Sequence, residues 1–320
     1  MNKIGREEIE SLRGTRVQVN GQVPLAVISE REPASKSSVV DVLTVFLVGA
    51  ECSFRCSMCD LWKYTLEQAT APGDLVQQLR LALSSRKNHQ WIKLYNASNF
   101  FDPRSVPFSD LPELAALCEG FGRVIVENHP KIRNRWIERF AEAIDGTLEI
   151  AMGLETIHPE SMRLLNKEFS LLDFEDANRQ LCDLGIDRRV FVLLQPPGTP
   201  SEESIDWVTK TLQYAEVLGV RHGSIIPTRG GNGMMERFER EGLFRRPGLW
   251  QLEQSLEQAF RQCLSMVVTA DLWNIDELSG SCKVCFEGRL QRLEAMNHSQ
   301  QPIERTTHQC DCVMSGILNP

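Results

Sequence analysis

From Val39 onward, continuous runs of Val, Ile and Leu alternate with stretches whose apolar residues recur at helical spacing. The runs read as strands over 39–50, 91–97, 123–128, 147–156, 188–196 and 221–227. The stretches between them read as helices over 73–87, 109–120, 133–145, 159–184 (broken near Ser170) and 201–218. Ser109-Asp110 and Ser201-Glu202-Glu203 offer helix N-caps with acidic first turns. Apolar runs without strict alternation suit a parallel sheet covered by helices. Six such βα units predict an α/β fold, a partial (β/α)6 barrel, in which chemistry sits at the C-terminal ends of the strands.

The flanks differ. Residues 1–38 form a lead-in, with a short helix expected over Arg6–Arg13 and a small hairpin over residues 16–23 around Asn20-Gly21. Pro33 to Ser38 reads as loop. The barrel is assigned to 39–228. Residues 229–320 form a C-terminal extension, opening on the flexible turn Arg229-Gly230-Gly231-Asn232-Gly233, with helices near 233–242 and 249–266 and a short apolar run over Met266–Trp273.

Composition narrows the possibilities. The chain has 320 residues, 42% hydrophobic and 24% charged, with a formal net charge of −8. That is ordinary for a globular protein and unfavourable for autonomous nucleic-acid binding, which needs clustered Lys and Arg. A local basic groove stays open. Residues 1–14 are charged and lack the apolar core of a signal peptide, and no apolar run is long enough to span a membrane. Ten cysteines without a secretory signal point to a reducing cytoplasm and to metal ligation rather than disulfides.

The first strand runs directly into Glu51-Cys52-Ser53-Phe54-Arg55-Cys56-Ser57-Met58-Cys59, a C-x3-C-x2-C spacing. Three thiolates on one tight loop can each hold an iron of a cubane iron–sulfur cluster, which ordinarily has four cysteine ligands. The fourth iron is then left for another ligand. A closed zinc site asks for four ligands, usually in two pairs.

This motif, on a loop after the first strand, resembles the signature of the radical S-adenosylmethionine (SAM) superfamily. The residue before the third cysteine is Met58, where that superfamily usually has an aromatic. The resemblance implies that Cys52, Cys56 and Cys59 bind a [4Fe-4S] cluster whose open iron is chelated by SAM. It also implies reductive cleavage of SAM to a 5′-deoxyadenosyl radical that abstracts a substrate hydrogen, with a reductant such as flavodoxin or ferredoxin. By position, Asn96-Ala97-Ser98-Asn99 at the end of the second strand replaces the glycine-rich patch that holds the SAM methionine, with Asn96, Ala97 and Ser98 as the candidate contacts. Glu127 and Glu155 end the third and fourth strands, Lys167 is a candidate partner for the SAM carboxylate, and Gln195 with its two prolines ends the fifth. Turn formation or helix capping would account for the same strand-end residues, and a solvated helix face for Lys167. His129, His158 and His222 read as structural.

Four segments resemble the archaeosine-synthase radical SAM subunit and its Elongator-catalytic-subunit-like relatives: Gly153-Leu154-Glu155-Thr156, Leu165-Asn166-Lys167-Glu168-Phe169, Leu193-Leu194-Gln195-Pro196-Pro197 and Arg246-Pro247-Gly248-Leu249-Trp250. In that family the substrate is a modified 7-deazaguanine base in tRNA. The acidic chain, with no separate RNA-binding module, gives no support for carrying the substrate over.

Cys282-Lys283-Val284-Cys285 and Cys310-Asp311-Cys312 make a second group, which suits a closed zinc site or an auxiliary [4Fe-4S] cluster that would staple a polar tail. His308 could replace one ligand. Cys118, Cys182 and Cys263 stand alone in helical patterns and are expected in the core. The leading expectation is a radical SAM enzyme with an unidentified substrate. The alternatives are modification of a (7-deaza)guanine-type base in nucleic acid, and a non-catalytic iron–sulfur or zinc protein.

Overall fold

A computed structural model of the chain describes residues 4–84, 87–278, 282 and 284–305. The predicted runs become parallel strands, each slightly shorter than its apolar stretch. They are β2 (Ser38–Phe46), β3 (Trp91–Tyr95), β4 (Arg123–Glu127), β5 (Thr147–Glu155), β6 (Asp187–Leu194) and β7 (His222–Pro227). Two further strands extend the sheet, β1 (Ala26–Ser35) at one edge and β8 (Val267–Ala270) at the other. Neighbours in the sheet follow chain order, parallel throughout from β2 to β8 and antiparallel only between β1 and β2. The seventh parallel strand arises from the apolar run at 266–273, so the segment after 228 joins the same sheet.

The lead-in is a correction. No hairpin forms over 16–23. Asn20 Oδ1 instead accepts from the Gln22 N–H at 2.9 Å, a local turn that the Asn-Gly pair satisfies without strand pairing. The hairpin lies later, with Lys36 and Ser37 linking β1 to β2, so the expected loop at 33–38 is partly strand. Helix α1 (Arg6–Ser11) is present as expected.

Helices α2 (Asp74–Leu83), α3 (Leu111–Leu117), α4 (Arg135–Ala143), α5 (Pro159–Leu165), α6 (Leu171–Asp183) and α7 (Ser204–Val217) follow the strands, with α8 (Met234–Arg240), α9 (Leu249–Gln262) and α10 (Phe286–Ser299) after them. The break near Ser170 is real: Asn166 turns left-handed and Ser170 caps α6 through the Asp173 N–H. One strand face carries the apolar core against these helices, including Leu43, Leu94, Val126, Ile150, Val192 and Ile225. Cys118 and Cys263 are buried in it, whereas Cys182 is exposed on α6, against expectation, because the buried face of that helix runs through Phe174, Ala177, Asn178 and Leu181.

The other strand face turns inward. Its N-terminal half is filled with charge. Arg189, 2% exposed, donates to Glu149 Oε1 at 2.5 Å and also to Glu32 of β1. Lys93 pairs with Glu30 at 2.9 Å and with Glu32. Arg123 bonds Glu149 at 2.5 Å and Asp187 at 2.6 Å. Strand β1 thus closes the seam by supplying carboxylates to cations on β3 and β6, and His298 and Lys36 tie it to the β8 side through backbone carbonyls of Arg31 and Cys263. Towards the C-terminal ends the inward residues Phe46, Tyr95, Glu127, Phe191, Ser224 and Thr269 stay partly exposed, so the lumen opens there. No helix among the described residues is long and apolar enough to cross a membrane.

Removing one partner from a buried ion cluster strands the others without compensation. Glu32→Ala is therefore expected to destabilise the fold by about 3–5 kcal/mol, read as a lowered urea midpoint. An unchanged midpoint would mean that β1 closes the barrel through its backbone alone.

Candidate active site

The three clustered cysteines lie on the loop after β2, at the open end of the lumen. Cys52, Cys56 and Cys59 are free thiols. Burial pushes the Cys52, Cys56 and Cys59 pKa values up, that of Cys59 to about 12, and the neighbouring thiols raise those of Cys56 and Cys59 further. Among the described residues, no three side chains converge tightly enough to share a single metal ion. A cubane cluster demands less convergence, because each thiolate binds a different iron.

The loop is held from several directions. Ser57 donates through N to Leu165 O at 2.9 Å and through Oγ to Leu164 O at 2.6 Å, at the end of α5. Asn166 donates to Arg55 O at 3.0 Å, and Asn232 donates to Ser57 O at 2.6 Å. From the lead-in, Arg6 donates to Ser53 O at 2.6 Å. Glu51, beside Cys52, receives Arg13 at 2.7 Å, Arg55 at 3.2 Å and Arg16. Burial alone would push the Glu51 carboxyl up, but hydrogen bonds from Arg13 and Arg16 hold it below its ordinary value. Arg13 and Arg16 also cover the Trp62 ring at 4.8 and 5.6 Å.

The strand ends gather around this loop. Ala97, Glu155 and Gln195 each adopt a left-handed backbone, with φ of 53°, 65° and 60°. Such strained non-glycine positions cluster at functional sites. At the β3 end, Asn96 Nδ2 donates to Ser105 Oγ at 3.0 Å, while Asn96 Oδ1 and Ser98 Oγ are buried with no partner. Lys167 donates to Gly153 O at 2.7 Å and to Glu155 Oε1 at 2.5 Å. Burial works against its charge, but Glu155 and the Cys56 thiol keep its pKa above the ordinary lysine value. Glu127 is pushed up to about 7 by burial and by the Glu155 charge, against a hydrogen bond from the Asn96 backbone.

Gln195 is placed differently from its neighbours. Its Nε2 donates to Thr199 O and Ser201 Oγ, both at 3.1 Å, and its Oε1 accepts from Gln251 at 3.0 Å. The side chain serves the β6–α7 turn, and its strained backbone is what lies at the strand end. His129 stacks on Phe54 at 3.6 Å between ring centroids, and its Nε2 lies 2.9 Å from Lys167 O. Burial and the Lys167 charge lower its pKa to about 3, so it is neutral. His158 caps α5 and His222 lies in the buried charge cluster.

Sequence reasoning placed Asn99 at the β3 end but missed its contact with the cysteine loop: its Nδ2 donates to Cys52 Sγ at 3.1 Å. It also missed an aromatic run at the mouth: Trp273 sits edge-on to Phe46 at 5.4 Å, Phe46 to Tyr95 at 6.2 Å and Tyr95 to Phe191 at 6.3 Å. The period-two spacing of Phe46 with Thr44, and of Tyr95 with Lys93, was the available signal that these rings face inward.

No protein-family model matches the chain. The archaeosine synthase subunit beta of Methanosarcina acetivorans is 23% identical over 335 residues, covering 94% of this chain and 94% of that protein. Among solved structures, methylornithine synthase aligns with a TM-score of 0.51 at 13% identity, over 87% of this chain and 86% of that one. A radical SAM methyltransferase from Sphaerobacter thermophilus gives 0.51 at 14% identity, over 78% and 79%. The chain has the radical SAM fold. Its likeness to the Methanosarcina protein extends over nearly the whole length of both chains.

At the open mouth of the barrel, Cys52, Cys56, Cys59, Glu127, Glu155 and Lys167 come together, with Asn96, Ala97 and Ser98 at the adjoining β3 end. Cys285 is buried and Cys282 half-buried just before α10, remote in sequence from this mouth. Cys310 and Cys312, like His308, lie outside the described residues.

Because the folded protein binds the Glu127 proton more tightly than the unfolded chain does, stability should fall as pH rises from about 4.5 to about 7 on this account. Glu127→Gln is expected to remove that component and to raise the thermal midpoint above pH 7. His129 and His222, both lowered to about 3, contribute the opposite slope in wild type and variant alike. Parallel midpoint–pH curves for the two proteins would refute the buried-acid assignment.

Proposed function

We propose that this protein is a radical SAM enzyme in which Cys52, Cys56 and Cys59 hold a [4Fe-4S] cluster and SAM completes the coordination of its remaining iron. The observation that carries this reading is the set of three free thiols on one pinned loop at the open end of the barrel, facing strand ends with strained backbones. The residues present fit both groups. Three thiols suit three irons, and the unpartnered Asn96 Oδ1 and Ser98 Oγ are buried polar atoms of the kind a bound ligand satisfies. When bound, the cluster and SAM supply the electron and the 5′-deoxyadenosyl radical for hydrogen abstraction.

The protein's own work is binding, orientation and exclusion of water. Asn96, Ala97 and Ser98 form the β3 edge of the SAM site. Lys167 offers a cation to the SAM carboxylate, steadied by Glu155, and Glu127 offers a carboxyl group to the SAM amine or ribose. The strained Gln195 backbone and the following prolines give the adenine an extended surface. The electron comes from an external reductant such as flavodoxin or ferredoxin, and the free Cys52, Cys56 and Cys59 thiols favour the reducing cytoplasm. The second group, Cys282 and Cys285 with Cys310 and Cys312, is proposed to hold zinc or an auxiliary [4Fe-4S] cluster.

A second reading, modification of a (7-deaza)guanine-type base in nucleic acid, has two specific observations in its favour. The lumen presents Phe46, Tyr95, Phe191 and Trp273, a surface suited to a planar ring. Lys131, Arg133, Arg135 and Arg139 add an exposed basic run at the β4–α4 turn of an otherwise acidic chain.

Anaerobic reconstitution separates the readings. The wild type should yield 5′-deoxyadenosine from SAM on reduction, and the Cys52, Cys56 and Cys59→Ala triple variant none. Residual metal in that variant reports on the tail site, as zinc or as iron. Well-loaded wild-type protein that produces no 5′-deoxyadenosine would make this a non-catalytic metalloprotein. Co-purifying tRNA that dissociates at raised salt would favour the base-modifying reading.

A further inference from the structure

We infer that Asn99 is a positioning residue that sets the reduction potential of the cluster through a hydrogen bond to the Cys52 sulfur, an inference that rests on the cluster assignment above. The orientation of its amide is fixed by its other contact. The His129 backbone N–H donates to Asn99 Oδ1 at 2.8 Å, so that atom is the acceptor and Nδ2 is the donor turned to Cys52 Sγ at 3.1 Å. The Phe54 N–H adds a longer bond to the same sulfur at 3.4 Å.

The bracket behind Asn99 is rigid. His129 is stacked on Phe54, two residues beyond Cys52, and its Nε2 meets Lys167 O. Asn99 is 4% exposed, so water does not replace its amide. It therefore ties the β3 end to the β4 end and hands the cluster loop one defined N–H. Among the described residues, no side-chain amide donates to Cys56 or Cys59 in the same way.

Hydrogen bonds to ligand sulfurs are one of the levers on iron–sulfur potentials. Reduction adds negative charge to the cluster, which its sulfurs share. An N–H dipole aimed at sulfur stabilises the reduced form more than the oxidised form, so it raises the midpoint potential. Loss of the donor lowers it, and an anion in its place lowers it further.

The test compares full-length wild type, Asn99→Leu and Asn99→Asp, each reconstituted anaerobically without SAM. Iron per chain is measured first, then the midpoint potential by redox titration followed by electron paramagnetic resonance. Asn99→Asp keeps the oxygen that accepts from His129 N–H, so the bracket persists even if Asn99→Leu disturbs it. The expected result is an unchanged iron content and a potential that becomes more negative from wild type to Asn99→Leu to Asn99→Asp. Iron-replete variants with the wild-type potential, or a shift in the positive direction, would overturn the inference. Loss of the cluster from both variants would also overturn it, leaving Asn99 a scaffold residue. A wild type that takes up no cluster would instead bring down the functional reading itself.

Discussion

The buried ion cluster of Arg189 with Glu32 and Glu149 is the constraint on which the rest of this barrel depends. A sheet of seven parallel strands and one antiparallel strand must fill its inner face, and here the filling is charged. Charges buried at this depth are tolerated only when each is paired, which ties β1, β3, β5 and β6 to a single arrangement. Because β1 brings two of the carboxylates, the lead-in hairpin belongs to the barrel and closes its seam. The polar packing stops below Phe46, Tyr95 and Phe191, and above it the lumen opens at the strand ends where chemistry is hosted in such folds.

The cysteine loop extends the same logic to the mouth. It has no regular structure of its own beyond a short turn, so its shape is imposed by partners: Leu164 and Leu165 at the end of α5, Asn166, Asn232, and three arginines meeting at Glu51. The three thiols are thus held in place by the protein itself, as the proposed cluster assignment requires. The Lys167–Glu155 pair stands at the same mouth and brings a cation close to Cys56 without leaving a buried charge uncompensated. Burial raises the Glu127 carboxyl to about 7, which reduces the negative charge it brings to the mouth.

Much of this was legible in the sequence. The parallel strands announced themselves as continuous apolar runs because their outer faces meet helices. The cysteine spacing announced a loop that gathers three thiols after the first parallel strand, and the structure has that loop at the open end of the barrel. Strand β1 was hidden because its inward positions include Glu30 and Glu32, polar residues where a strand pattern expects apolar ones. Strand β8 was hidden by its four-residue length. The Asn20-Gly21 pair was a true turn signal attached to the wrong hairpin. The placement of Cys52, Cys56, Cys59, Glu127 and Glu155 at the strand ends was readable from the sequence. The duties of Asn99 and Gln195 were not, since each depends on which of two polar ends faces which neighbour across 30 or more residues of chain.

The central claim is that SAM occupies the iron that Cys52, Cys56 and Cys59 leave open. The most direct measurement is electron–nuclear double resonance on the reduced, reconstituted protein with SAM carrying isotopic labels in its methionine amino and carboxylate groups. The account predicts hyperfine coupling of both labels to the cluster, lost in the Cys56→Ala variant. A cluster spectrum that shows no coupling to either label at saturating SAM would contradict it.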